Sequence, residues 1–76
     1  MSITYTVDGE KQTTSERELT PVQILSNAGI DAATHYLVQI EGQHKISYQD
    51  NPQTEIHMHE HMKFISVSTG PTPVSL

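Results

Sequence analysis

The stretch "EIHMHEHMK" places His57, His59 and His61 at alternate positions. Neutral imidazole is a common ligand for zinc, copper or nickel, and alternation puts the three rings on one face wherever the chain is extended. Three ligands drawn from one extended segment converge poorly on a tetrahedral ion. The segment therefore reads as solvent-facing, with Ile56 and either Met58 or Met62 packing inward; His57, His59 and His61 are weak metal candidates. The chain has no cysteine, which excludes disulfides, thiolate zinc sites and a thiol nucleophile within it. Ser15, Ser26, Ser47 and His35 supply hydroxyls and an imidazole, yet no serine sits in a strand–Gly-x-Ser-x-Gly elbow. Asp8-Gly9 is a turn pair and not part of a Gly-x-x-x-x-Gly-Lys phosphate loop. A protein that is not itself an enzyme and needs no cofactor is expected.

The other reactive group is the terminal carboxylate. "KFISVSTGPTPVSL" alternates like a strand, breaks at Gly70, and then meets Pro71 and Pro73. Proline cannot donate to a ladder and favours extended backbone, so a flexible tail over 70–76 is expected beyond a domain of residues 1–69. At ~3.3 Å per extended residue, the segment after Gly70 reaches roughly 20 Å.

Composition narrows the partners. A chain of 76 residues makes one domain with a small core. Its formal net charge is −5, and Lys11, Arg17, Lys45 and Lys63 are scattered along it. Phosphate recognition needs clustered basic residues, so nucleic acid is not an expected partner and another protein is. No apolar run approaches the ~20 residues that span a bilayer. "MSITYTVDGE" lacks a basic start followed by an apolar stretch. No membrane partner and a cytoplasmic location are the expectation.

These residues must be held by a few short elements. "SITYTV" alternates Ile3, Tyr5 and Val7 with Ser2, Thr4 and Thr6, a half-buried strand that Asp8-Gly9 turns into a hairpin with the polar "QTTSEREL". In "TPVQ", Thr20 suits a helix N-cap, Pro21 its first position, and Gln23 the partner of a capping box. Val22, Leu25 and Ala28 then recur at helical spacing, and Gly29 suits a left-handed C-terminal cap, so a helix is expected over 21–28. "YLVQIE", "HKISY" and "KFISVST" read as three further strands, with "QDNPQ" as a loop. Val38, Ile40, Ile65 and Val67 are expected to face inward with Val22 and Leu25, and Phe64 to face the other side. One helix covers one face of such a sheet, so the class is α+β in two layers. Leu37, Ile46 and Phe64 would then build an outward apolar patch for docking a partner.

Taken in order, "TPVQILSNAGID", "YLVQIEG", an acidic loop and "KFISVSTGP" resemble the bacterial multiubiquitin-type ubiquitin-like domains, over roughly residues 2–73. The resemblance implies a β-grasp fold, here a mixed sheet of four to five strands with one helix on one face. It also implies a protein modifier, conjugated to protein targets in a bacterial ubiquitination-like pathway. Its partners would be an activating enzyme, a conjugating enzyme and a deubiquitinase-like peptidase. Ubiquitin and related sulfur carriers end in Gly-Gly, where the absence of Cβ lets the backbone thread a narrow channel. This chain ends Val74-Ser75-Leu76. Either a peptidase cuts after Gly70 or Leu76 is used directly, and the alternative is a β-grasp interaction module that is never conjugated.

Overall fold

The structure, a computed structural model, describes residues 1–70. β1 (Ile3–Val7) and β2 (Glu10–Thr14) form the expected antiparallel hairpin. Its turn holds Asp8 at φ 53° and Gly9 at φ 83°, the paired left-handed residues that match the twist of a two-residue hairpin. The chain then makes a two-residue strand, β3 (Glu18–Leu19), before α1 (Pro21–Asn27).

Both ends of α1 are built as its sequence implies. The Thr20 hydroxyl accepts from Gln23 N at 3.1 Å, and the Gln23 side chain accepts from Thr20 N at 2.9 Å. At the far end Gly29 adopts φ 78°; Gly29 N donates to Ser26 O and Ile30 N to Leu25 O, the two bonds of a Schellman close. Such a short helix is not stable alone, and its buried Pro21, Ile24 and Leu25 must lean on the sheet. Val22, expected inward, is only half-buried, and Ile24 takes its place.

Three longer pieces complete the sheet: β4 (His35–Glu41), β5 (His44–Ser47) and β7 (Met62–Ser68), with the short β6 (Ile56–His57) between the last two. The strand order is β2-β1-β7-β4-β5, and β6 pairs separately with β3. Only β1 and β7 run parallel, so the sheet is mixed, and the fold is α+β of β-grasp-like plan. The β1–β7 ladder is short, and carboxylates tie it at both ends. Thr4 N donates to Glu60 Oε1 at 2.9 Å at one end; Ser66 N and Ser66 Oγ donate to Asp8 at 2.8 and 2.6 Å at the other.

The core is Tyr5, Val7, Leu37, Met62 and Phe64 from the sheet, Ile24 and Leu25 from the helix, and Leu19, Ile56 and Met58 from the small β3–β6 sheet and its exit. The alternation of β4 and β7 is as expected, but its sense is reversed. Phe64 and Leu37 face the helix, while Ile65 and Val67 lie on the opposite side. Phe64 packs edge-on against Tyr5, with ring centroids 5.9 Å apart. The reason is volume. In β7 the Phe64 ring fills the space under a two-turn helix, and the smaller β-branched Ile65 and Val67 are left for the uncovered face. No helix among the described residues is long and apolar enough to cross a membrane.

Candidate functional site

β7 is the central strand, and its ladder with β4 runs one residue past the strand, Thr69 N donating to Thr34 O at 2.8 Å. Thr69, at the end of the expected 1–69 domain, is therefore tied to the body. Gly70 is exposed directly beyond this bond, with open space where a Cβ would stand. Leu76 and the proline pair lie outside the described residues.

The docking patch of Leu37, Ile46 and Phe64 does not form. Register places all three on one face, because Gln39 pairs with both Phe64 and Ile46 and shares its side with Leu37. That face is the one the helix covers. Leu37 and Phe64 are 0% and 1% exposed, and only Ile46, at the edge beyond the helix, reaches solvent at 38%. Nearby, Tyr48 OH donates to the buried Gln39 Oε1, closing the edge of the core and satisfying the one buried polar side chain there.

The histidines do not share a strand face. β6 ends at His57, and a turn follows in which His61 sits at φ 68°, so the alternation is broken before the third ring. His57 Nδ1 stands 3.3 Å from Glu18 Oε2 across the β3–β6 pair, and His57 and His59 rings lie 6.5 Å apart. Among the described residues no three His, Asp or Glu side chains gather in a way that could hold a metal ion. Met58, whose neighbours are these histidines, is buried together with Ile56 and Met62. No serine hydroxyl among the described residues is hydrogen-bonded to an imidazole; His35 Nδ1 is engaged by Thr34 Oγ1 at 2.9 Å.

What the fold does assemble is the uncovered side of the sheet. Tyr36, Val38 and Ile40 of β4 and Ile65 and Val67 of β7 alternate away from the helix and pair across the two strands. Val38 is 7% exposed yet lies outside the core cluster, and register flanks it with Ile65 and Ser47. Register adds a second feature. Lys11 pairs with Thr6, Thr6 with Lys63, Lys63 with Ile40, and Ile40 with Lys45. Lysines scattered in sequence thus form one row across all five strands. Among the described residues none of them joins an ion pair; the pair present is His57–Glu18. Both glutamates of the sheet strands, Glu10 and Glu41, share their register rows with the opposite face. Sequence reading missed this row because each lysine stands alone in its strand, and only pairing brings them together.

No family model, no curated protein and no solved structure matches the chain.

Proposed function

We propose that the chain is a ubiquitin-like protein modifier. In this reading a partner adenylating enzyme joins the C-terminal carboxylate to the α-phosphate of ATP, with pyrophosphate leaving. A thiol of the activating enzyme displaces AMP to form a thioester. A thiol of the conjugating enzyme takes the acyl group and frees the first thiol, and an amine of a target protein takes it in turn, releasing the second thiol. The observation that carries the reading is the placement of β7. The central strand of the sheet leads directly to Gly70, so the segment to be activated starts from the best-anchored strand of the body. The "F…V…TGP" ending and the β-grasp-like fold support the same pathway, with a deubiquitinase-like peptidase acting at Gly70.

The test compares the full chain with one ending at Gly70, each incubated with ATP, magnesium and the adenylating enzymes encoded beside it. The Gly70-ended chain should support ATP–pyrophosphate exchange. Exchange with the full chain alone would make Leu76 the acceptor end. Exchange with neither removes the modifier reading.

A second reading is favoured by the open face: a β-grasp interaction module that is never conjugated. Intact mass of the protein from native cells separates the two. Conjugates, or loss of the segment after Gly70, belong to a modifier, and an unchanged free chain to a module.

A further inference from the structure

We infer that two copies of the chain pair antiparallel along the free edge of β5, Ile46 against Ile46, joining their five-stranded sheets into one. The inference does not depend on conjugation, since a modifier and a free module would present the same edge.

Hydrogen-bond phase decides which groups that edge offers. Tyr48 N donates to Leu37 O at 2.9 Å in the register that continues the β4–β5 pairing. Tyr48–Leu37, Ile46–Gln39 and His44–Glu41 are therefore the hydrogen-bonded pairs, and the main-chain N–H and C=O of Lys45 and Ser47 point away from β4. All of β5 is exposed, so nothing among the described residues covers these groups. An edge with open donors and acceptors is a template for another strand. This one also carries Ile46, which with Met1 makes up the exposed large apolar side chains of the described residues.

The order of residues along the edge selects a second copy as the occupant. With Ile46 opposite Ile46, Lys45 of each copy stands opposite Ser47 of the other. Those residues hold the outward main-chain groups on both sides, so the phase closes and each Lys45–Ser47 pair exchanges both N–H···O bonds. The Ile46 pair then falls at a non-hydrogen-bonded position, where Cα atoms approach to about 4.5 Å and side chains meet most closely. His44 faces Tyr48 of the second copy at either end. Two-fold symmetry makes the contact self-complementary and stops it at two chains.

Other pairings are poorer. Sliding the register by two residues one way sets Lys45 against Lys45. Sliding it the other way runs the ladder into the turn at Gln49, whose N–H is already held by Ser47 Oγ at 3.2 Å. A parallel copy in register also faces Lys45 with Lys45. At the opposite edge of the sheet, Thr4 directs its main chain to Glu60 and His61, so its β2 partner Thr13 points outward with Lys11. Between those two stands Gln12, where β5 has Ile46. The helices of the two copies lie on the same side without colliding. α1 packs over β4, and the two β4 strands would be three strand spacings apart, about 14 Å against the 8–10 Å of packed helices.

About five residues a side make the contact, against roughly 20–30 in a standard interface, so the dimer is weak and forms at high concentration. The test is sedimentation equilibrium and amide spectra of the full chain from about 10 µM to about 1 mM, the range for so small a contact. The mass should rise toward that of two chains, with shifts concentrated on Lys45 and Ser47. Mixed labelled and unlabelled copies should show a nuclear Overhauser contact between their Ile46 side chains. Ile46→Lys, which sets two cations at the closest pair, should weaken association about 10-fold or more. Lys45→Pro removes an outward N–H without touching a β4–β5 bond and should weaken it comparably; melting curves will show that both variants fold. Thr13→Pro, on the other edge, should leave the dimer intact.

A single-chain mass at the highest concentration overturns the inference. So does association that survives Ile46→Lys, that Thr13→Pro removes, or that runs past two chains. Shifts centred on Val38 and Ile65 would place the contact on the open face and overturn it too. Each of these outcomes leaves the ATP–pyrophosphate exchange test untouched.

Discussion

The two faces of the five-stranded sheet use the same backbone and similar apolar residues, yet they have become different objects. Under the helix, Tyr5, Leu37 and Phe64 are sealed against Ile24 and Leu25. On the other side, Tyr36, Val38, Ile40, Ile65 and Val67 shelter one another on a surface bordered by lysines. The covered face is closed by bulk and stabilises the domain. The open face keeps its apolar side chains uncovered beside charge of one sign, which suits contact with something outside the chain. Burial of an apolar residue on a sheet is thus poor evidence of its role until the covering element is known.

The largest effect should come from emptying the covered face. Leu25→Ala or Phe64→Ala should destabilise by about 3–5 kcal/mol, whereas Ile65→Ala, with less to lose, should cost about 1 kcal/mol. Urea midpoints measure both. Equal losses at Phe64 and Ile65 would mean that the open face is covered in the free protein.

A smaller effect is expected where the central pairing is tied. Asp8→Ala removes the carboxylate that accepts from Ser66 N and Ser66 Oγ, and should cost about 1–2 kcal/mol given its solvent exposure. Hydrogen exchange should then quicken at Ser66 before it quickens in β4. Uniform quickening across the sheet would show that Asp8 does not hold this ladder in particular.

Helix placement is next. Thr20→Ala should cost about 1 kcal/mol through the lost cap, and Thr13→Ala, in the edge strand β2, less. A Thr13 loss as large would mean that the helix, and with it the covered face, is not positioned by this cap.

The smallest effect at neutral pH belongs to Tyr5. Its hydroxyl is buried without a hydrogen-bond partner. Burial raises its pKa above the ordinary 10.0, and the nearby Asn27 side chain, though not in hydrogen-bond geometry, pulls it back to a lesser degree. Burial also raises that of Tyr48, with the negative charge of Glu41 adding to it. A phenol whose pKa is raised on folding favours the folded state fully below the unfolded value and loses that contribution as pH climbs through the folded one. Stability should therefore fall above about pH 10, and Tyr5→Phe should flatten that fall while costing little at pH 7. A large loss at pH 7 would show that the hydroxyl has a partner the geometry does not reveal.

Much of this architecture was legible in residue order. Asp8-Gly9 specifies a tight hairpin because two left-handed residues are needed there. Thr20, Pro21, Gln23 and Gly29 delimit a helix because each satisfies a backbone group or angle that a helix end leaves open. These are local requirements, met within a few residues. The two-residue strands β3 and β6 were not legible, since neither is long enough to show a period, and each exists only because the other pairs with it.

Alternation in "YLVQIE" and "KFISVST" determined that Leu37 parts from Val38 and Phe64 from Ile65. It could not say which member of each pair the helix would cover, because period two is symmetric and the helix is brought to one side by contacts distant in sequence. The histidines face solvent as read, but they share no single strand face, because the left-handed residue His61 ends an alternation that the letters continue. The lysine row is the extreme case. Each lysine's face follows from its own strand, but its place beside the others depends on register across four strand pairings, and register is settled by how the whole core packs.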